Sequence, residues 1–274
     1  MPKTQIPQTL TGLARVLAKH GERASVVASA DATKTVSNRV LINVGRIRGF
    51  DNVSSRGAKV KIGAGAHFGE VLRQVKGENG LLKQAISMMA NPLVRNRVTV
   101  FAALLLDSHY FDLATALVNL GATVRVQSLT GNQTMPVKEF LLAAARGLNP
   151  GEFPSSVEFT KLDLKWRVGF FRVNPGGGRP TVSASVKTRL RRNVAMDSEI
   201  IVSSSTVIPV HAPAASRALN RKPLNDKNVK MVAAIAAVEL LEIAELEADA
   251  YEQSLIEVAV SRAIRRVNEA PLPA

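Results

Sequence analysis

The segment from Asn91 to Ala122 contains the residue types that come nearest to a ligand-binding loop. It begins with a Pro-led, Arg-rich turn, NPLVRNR, and continues into a short β-branched stretch, VTV. A phosphate-binding loop would carry glycines next, because a residue without Cβ lets backbone N–H groups approach the ligand. The sequence instead has Phe101, Ala102 and Ala103, followed by three leucines. Because these residues form helices better than a glycine turn does, the stretch from Val100 predicts a helix.

A second glycine pattern, Gly63-x-Gly65-x-x-x-Gly69, lies between a predicted strand and a predicted helix, as in a dinucleotide-binding turn. The strand lacks the preceding helix–strand context of such a unit. No strand ending in Asp or Glu follows about 20 residues later to bind a ribose hydroxyl. We therefore interpret the pattern as the end of a strand, followed by a helix that is capped near Ala66 or His67.

The sequence offers no recognisable catalytic or metal-binding set. The four histidines, His20, His67, His109 and His211, are scattered, and none has a histidine partner at helical spacing. The patterns HExxH, GxSxG and GxxxxGK[ST] are absent. With no cysteine, the chain has no thiolate for a metal, an iron–sulfur cluster or nucleophilic catalysis. The glutamates between positions 239 and 247 are interpreted as a solvated helix face.

The composition favours a basic protein with aliphatic cores. Hydrophobic residues make up 46% of the 274 residues and aromatic residues only 4%, and the formal net charge is +14. Such a charge suits an acidic protein partner, nucleic acid or an anionic membrane face. The densest cluster, KTRLRR, predicts a basic stripe of Lys187, Arg189 and Arg191 on an exposed sheet face. It contains none of the stacking residues that single-strand binders need, so nucleic acid is not predicted as a partner.

Hydrophobic periodicity predicts an α+β fold in three parts. Residues 1–52 are predicted to form an N-terminal α/β subdomain, residues 53–173 a middle α+β subdomain, and residues 174–274 a sheet with helices. The N-terminal segment has no apolar stretch typical of a signal peptide, and no apolar run approaches the roughly 18 residues of a membrane span. A cytoplasmic location is therefore expected.

Several segments follow one another in a recognisable order over nearly the whole chain: LINVGRIRGFDNV, VKIGAGAHFGEVL, NPLVRNRVTV, DLATALVNLGATVRV, MPVKEFLL, RPTVSASVKTRL and SLIEVAVSRAIRRV. In order and spacing they resemble the FAD-binding (medium) subunit family of molybdenum hydroxylases, of the carbon monoxide dehydrogenase and xanthine dehydrogenase type. The resemblance implies a PCMH-type FAD-binding fold in two subdomains, followed by a C-terminal antiparallel sheet with helices. It also implies FAD between the first two parts, which takes electrons from iron–sulfur clusters.

In that family, two glycine-rich loops hold the flavin through backbone N–H groups. Here the glycines of both loops are replaced by residues with side chains. Asp31 adds a negative charge where the phosphates would lie, and Phe101 adds a ring where the family has no side chain. The positions that the resemblance assigns to the cofactor are Ala28, Ser29, Ala30, Asp31, Ala32, Thr99, Val100, Ala102, Ala103 and Asp112.

These departures weaken the expectation of a bound flavin. A residue other than glycine at a positive φ costs on the order of 1 kcal/mol or more. The replaced second loop predicts a segment that has refolded, as a helix, to fill its own cavity. Arg172 is a milder departure, at a position where the family often has Lys.

The function predicted from the sequence is that of a medium, flavoprotein-type subunit with a scaffolding or docking role. Its FAD is expected to be absent or bound in an altered pose, and no metal is expected in this chain. The resemblance implies a large molybdopterin-binding subunit and a small iron–sulfur subunit as partners. Two alternatives stay open: a functional FAD-binding subunit that passes electrons to an external acceptor, and a stand-alone basic binding protein.

Overall fold

The computed structural model describes residues 4–27, 40–75, 80–89, 91–105, 111–176, 181–204, 207–244 and 250–268. Its strands are β1 (Thr4–Gln5), β2 (Ala24–Val27), β3 (Val40–Asn43), β4 (Val53–Arg56), β5 (Lys59–Gly63), β6 (Thr123–Gln127), β7 (Asn132–Pro136), β8 (Phe153–Thr160), β9 (Trp166–Val173), β10 (Val182–Arg191), β11 (Val194–Ser204) and β12 (Val210–His211). Its helices are α1 (Leu10–His20), α2 (Phe68–Gln74), α3 (Leu81–Met89), α4 (Pro92–Arg95), α5 (Val100–Leu105), α6 (Phe111–Asn119), α7 (Val137–Arg146), α8 (Pro213–Leu219), α9 (Asp226–Ile243) and α10 (Ala250–Arg266).

The chain divides into two compact units, and each collects pieces that are distant in sequence. Unit 1 falls within Met1–Val75, Pro92–Leu106 and Ala122–Phe159. Unit 2 falls within Lys76–Asn91, Asp107–Gly121 and Thr160–Ala274. The three-part division at residues 52 and 173 stays a prediction.

Unit 1 contains a three-stranded and a five-stranded sheet. The smaller sheet has the order β1-β3-β2 with parallel pairing, and the larger has the order β4-β5-β8-β6-β7. Helix α1 begins after Thr9, whose hydroxyl caps it by accepting a hydrogen bond from the N–H of Gly12 (3.0 Å). It ends at Gly21, whose φ of 52° suits a residue without a side chain.

Unit 2 is built on an antiparallel sheet of order β12-β11-β10-β9. Alternate residues of β10 point to opposite faces of this sheet. Val182, Ala184 and Val186 join the apolar core formed with α8, α9 and α10. The Ser183 hydroxyl lies 3.2 Å from that of Thr115 on α6, and the backbone carbonyl of Ser185 accepts a hydrogen bond from the Asn119 side chain of the same helix. One face of the sheet therefore packs on the apolar core, and the other face packs on α6 through a group of buried polar residues, here called the polar layer, among apolar ones.

A close approach between β9 and α10 depends on a glycine in the strand. A Cβ at Gly169 would lie 2.0 Å from the carbonyl oxygen of Ala263. The absence of a side chain at this position lets the helix backbone pack directly against the sheet.

Several predicted elements are confirmed, and others were missed. TVSASVKTRL and SEIIVSSST predict an antiparallel pair, and the turn LTGNQ predicts a hairpin; these are β10–β11 and β6–β7. The helical periodicity of VKMVAAIAAVELLEIAELEA and YEQSLIEVAVSRAIRRV predicts two helices, which are α9 and α10. Strands β4 and β9 and helix α8 were not predicted. For β9, the sequence WRVGFFRV mixes charged, aromatic and glycine residues, so it shows no clean alternation.

The predicted basic stripe on an exposed sheet face is wrong for Lys187. Lys187 is only 8% exposed, and its ammonium group donates to the carbonyl of Asn119 (2.9 Å) and pairs with Glu199 (3.1 Å). Arg189 stacks over the Trp166 ring at 4.6 Å from its centroid. The Lys187 end of the stripe therefore lies against α6, while the Arg189 side chain is 42% exposed and Arg191 is exposed. Lys187 was misjudged because alternation in a strand fixes a face but not what covers it.

Among the described residues, no helix is long and apolar enough to cross a bilayer.

Candidate functional site

Helix α5 lies at the position of the predicted second flavin loop, and its helical conformation was predicted from the sequence. Thr99 precedes the helix and caps it. Its hydroxyl accepts a hydrogen bond from the N–H of Ala102 (3.3 Å), and its carbonyl accepts one from the N–H of Ala103 (3.1 Å). The backbone donors that would be free at an open loop are therefore turned inwards.

The two preceding backbone donors are also used inside unit 1. The N–H of Val100 donates to the carbonyl of Ala66 (3.0 Å), and the N–H of Phe101 donates to the carbonyl of Ala64 (2.6 Å). The four successive N–H groups of residues 100–103 thus all have acceptors within the protein. In this arrangement they are not available to a phosphate.

The side chain of Phe101 fills the interior beside this helix. It is 3% exposed and packs against Phe50 and Phe153, with ring centroids 6.1 and 6.4 Å away. The Phe50 and Phe101 rings meet edge to face, the arrangement that aromatic pairs favour. The three rings belong to one apolar cluster with α1 and the segment after β3. This packing agrees with the prediction that the segment folds as a helix and fills the cavity that an open glycine loop would leave.

The glycines of the GxG pattern allow close packing within the protein. A Cβ at Gly63 would lie 2.2 Å from the carbonyl oxygen of Phe50, and one at Gly65 would lie 2.6 Å from a carbon of the Phe50 ring. The helix that follows is capped at His67, as predicted. The rejection of a dinucleotide fingerprint agrees with this geometry, since both glycines face the protein's own chain.

A small cavity of about 140 Å³ opens beside these glycines. Its lining includes Gly45, Asp51 and His67. The Nδ1 atom of His67 is buried and has no hydrogen-bond partner among the described residues. Small-molecule sites usually measure about 300–1,000 Å³, so this cavity is too small for a whole dinucleotide. The described residues contain no cluster of three or more potential metal ligands.

The predicted cofactor positions are distributed unevenly over the structure. Positions Ala28 to Ala32 lie outside the described residues. Thr99, Val100, Ala102 and Ala103 lie in unit 1, within or next to α5. Asp112 lies in unit 2, in the first turn of α6. The assignment of these residues to a cofactor stays a prediction.

Asp112 is a buried carboxyl group that faces the guanidinium group of Arg172. It is 3% exposed, and its Oδ2 lies 3.0 Å from the Nε of Arg172 without the alignment of a hydrogen bond. Burial raises the pKa of Asp112 to about 6, while Arg172 and the Ser183 hydroxyl oppose the rise. The side chain of Arg172 also donates to the carbonyl of Met89 (2.8 Å). The two charged groups hold α6, β9 and the end of α3 together.

A buried hydroxyl cluster continues the polar layer between α6 and the sheet of unit 2. The Thr115 hydroxyl lies 2.6 Å from that of Ser203 and 3.2 Å from that of Ser183, and the two serines are 2.9 Å apart. One turn further along α6, Asn119 donates to the carbonyl of Ser185 (2.9 Å). This layer was not predicted from the sequence. The pattern that could have revealed it is the spacing of polar residues 112, 115 and 119, which places them on one face of a helix.

Comparison with known proteins identifies the family. Residues 3–160 match the family model described as the FAD binding domain in molybdopterin dehydrogenase. The 6-hydroxypseudooxynicotine dehydrogenase complex subunit alpha of Paenarthrobacter nicotinovorans is 26% identical over 157 residues, which cover 54% of this chain and 53% of that protein. The alignment thus spans about half the length of this curated relative.

Solved structures show the same fold over the whole chain. Carbon monoxide dehydrogenase from Hydrogenophaga pseudoflava, in a form that lacks the Mo-pyranopterin moiety, is similar with a TM-score of 0.81 and 19% identity over 99% of this chain and 98% of that one. Quinoline 2-oxidoreductase from Pseudomonas putida 86 is similar with a TM-score of 0.78 and 18% identity over 99% of each chain. These similarities confirm the predicted α+β, PCMH-type FAD-binding fold. With more than half of its residues matched by the family model, the chain belongs to the family of the FAD binding domain in molybdopterin dehydrogenase.

Proposed function

We propose that the chain is the medium, flavoprotein-type subunit of a molybdenum hydroxylase complex, and that it serves as a scaffold without FAD in the family's usual pose. Family membership supports the first part of the proposal. The carbon monoxide dehydrogenase and quinoline oxidoreductase chains, similar over nearly their full lengths, support the same assignment through the fold.

The arrangement of α5 is the observation that carries the second part. Residues 100–103 direct their N–H groups to acceptors within unit 1, and the Phe101 ring packs among two other rings. A pyrophosphate at this segment would have to displace these hydrogen bonds and leave buried donors without their partners, at about 1–3 kcal/mol each. The first loop would add the negative charge of Asp31 near the same phosphates.

The proposed role is docking. A large molybdopterin-binding subunit and a small iron–sulfur subunit are the partners that the family implies. The net charge of +14 would steer acidic partners towards this chain and raise the rate of association. In this role the chain holds the assembly together and leaves the redox chemistry to the other subunits.

The test is the flavin content of the purified assembly. The chain is purified with the subunits that associate with it, and flavin is released with acid and measured by fluorescence against the amount of this chain. We expect far less than one flavin per chain, together with a large and a small, Cys-rich partner. Flavin near one per chain would overturn the loss of FAD but leave the subunit assignment standing. A chain that purifies alone would overturn the subunit assignment.

A functional FAD-binding subunit is the second candidate, and the family match favours it. Titration with FAD separates the two candidates. We expect the natural chain to retain no FAD on gel filtration. The triple variant Phe101→Gly/Ala102→Gly/Ala103→Asn, which restores the family's second loop, tests whether this segment alone is responsible. Retention by the natural chain would favour the second candidate, whatever the triple variant does.

A further inference from the structure

Helix α9 carries apolar residues on two faces, and the described part of the chain covers one of them much more fully than the other. Its inner face is buried in the core of unit 2 and consists of Val229, Val232, Ala233, Ala236, Ala237, Leu240 and Leu241. On the outer face Met231 is 40% exposed and Val238 is 47% exposed. Ala234 and Ile235 between them are half-buried, and Ile235 packs in part against the core of unit 2. At 100° per residue, these four lie within a sector of about 100°.

Opposite charges lie at the two ends of this face. Lys227 is in the first turn of α9 and Glu242 in the last, and both are exposed. Within the described part of the chain, neither makes an ion pair. Both fall in the same sector as the apolar residues. We call the set of Lys227, Met231, Ala234, Ile235, Val238 and Glu242 the α9 stripe.

The α9 stripe is complementary to itself in the antiparallel direction. If Met231 of one copy faces Val238 of a second copy, then Lys227 faces Glu242 at both ends. Ala234 and Ile235 face each other across the centre, where the small Ala234 permits the helices to come close. A parallel pair would instead place like charges together. An isologous interface about a twofold axis requires this reciprocity, in which residue i contacts j and j contacts i.

We propose that the α9 stripe is the surface through which two copies of this chain associate, with their α9 helices antiparallel about a twofold axis. Exposed apolar patches with a polar rim mark such surfaces. A partner of another kind would not require lysine and glutamate at mirrored positions. A single pair of helices buries less than the roughly 1,200–2,000 Å² of a standard stable interface, so the dimer depends on protein concentration.

The first test measures the mass of the full chain by analytical ultracentrifugation over a series of concentrations. We expect a reversible rise towards twice the mass of one chain. Val238→Glu should abolish this rise. Ile243→Glu is the matched control, because Ile243 is also 47% exposed and lies on α9 but outside the stripe. The control should dimerise as the natural chain does.

The second test uses the absence of cysteine from the chain. A single cysteine in Ala234→Cys lies near the proposed twofold axis, so mild oxidation should form a disulfide-linked dimer. Ile243→Cys should form it several-fold more slowly. Equal rates for the two variants would overturn the proposed geometry.

The third test exchanges the charges. Lys227→Glu and Glu242→Lys should each weaken the dimer several-fold, because each places like charges opposite each other. Mixing the two variant proteins should restore association, since both cross-pairs are then attractive. A chain that stays monomeric at all concentrations would overturn the proposal. Loss of a co-purifying subunit in Val238→Glu would then assign the stripe to that other protein.

Discussion

The Nε of Arg172 lies 3.0 Å from the carboxylate of Asp112, and both side chains are largely withdrawn from solvent. Arg172 also donates to the carbonyl of Met89, so the pair connects three elements of unit 2. Desolvation outweighs the attraction of the arginine, which is why the pKa of Asp112 rises to about 6 from its ordinary value of 3.8. The pair is therefore a pH-dependent part of the fold.

This raised pKa predicts that stability falls as pH rises from about 4 to above 6. The folded protein binds the Asp112 proton more tightly than the unfolded chain does, because its pKa is about 6 instead of 3.8. The stabilisation is complete below about pH 4 and is lost as pH passes 6, with a total on the order of 3 kcal/mol. The measurement is urea denaturation of the natural chain and Asp112→Asn at a series of pH values.

Asp112→Asn keeps the shape of the side chain and removes its titration. The difference in free energy of unfolding, natural chain minus variant, should therefore become smaller as pH rises through this range. Other groups titrate alike in both proteins and cancel in the difference. A difference that is constant with pH would show that Asp112 has the same pKa in the folded and unfolded states.

Truncation of Phe101 should cost more than truncation of a typical surface residue. Phe101 is 3% exposed and contacts two other rings, so Phe101→Ala should lower the free energy of unfolding by about 3–5 kcal/mol. Leu142→Ala is the control in the same unit, because Leu142 is 37% exposed on α7, and it should cost less than about 1 kcal/mol. Equal losses in chemical denaturation would contradict the filled interior.

The helical conformation of α5 and the filling of the space beside it could be predicted because the evidence was local. Helix-forming residues stand where a turn would need glycine. The prediction that Lys187 on β10 is exposed failed for the opposite reason. The alternation of TVSASVKTRL showed two faces, but α6, which covers one of them, is more than 60 residues away in sequence. The same limit hid the ion pair between Asp112 and Arg172. A charged residue in a short pattern does not reveal a partner that only the fold brings near.

The two glycines near the start of α2 predict different costs for the same substitution. A Cβ at Gly63 meets the Phe50 carbonyl at 2.2 Å, and backbone atoms in a packed core cannot move away cheaply. A Cβ at Gly69 meets the Oδ1 of Asn96 at 2.6 Å, and that side chain can rotate. Gly63→Ala should therefore destabilise unit 1 by several kcal/mol, and Gly69→Ala by about 1 kcal/mol or less. Thermal unfolding of the two variants in parallel measures the contrast, and similar melting temperatures would contradict it.

The hydroxyl of Thr115 should contribute more to stability than its small size suggests. It donates to the carbonyl of Phe111 (2.8 Å) and lies within hydrogen-bond distance of Ser183 and Ser203, all in the buried layer between α6 and the sheet. Thr115→Val keeps the volume but removes the hydroxyl, so the two serines lose a partner, at a cost of about 1–3 kcal/mol.

The matched control for Thr115→Val is Thr123→Val. The Thr123 hydroxyl makes one long bond of 3.4 Å at a half-buried position in β6, where valine is a good strand residue. That variant should change the free energy of unfolding by less than about 0.5 kcal/mol. Combining Thr115→Val with Ser203→Ala should cost less than the sum of the single changes, because both remove the same contact. Strict additivity in denaturant titrations would show that the hydroxyls act independently.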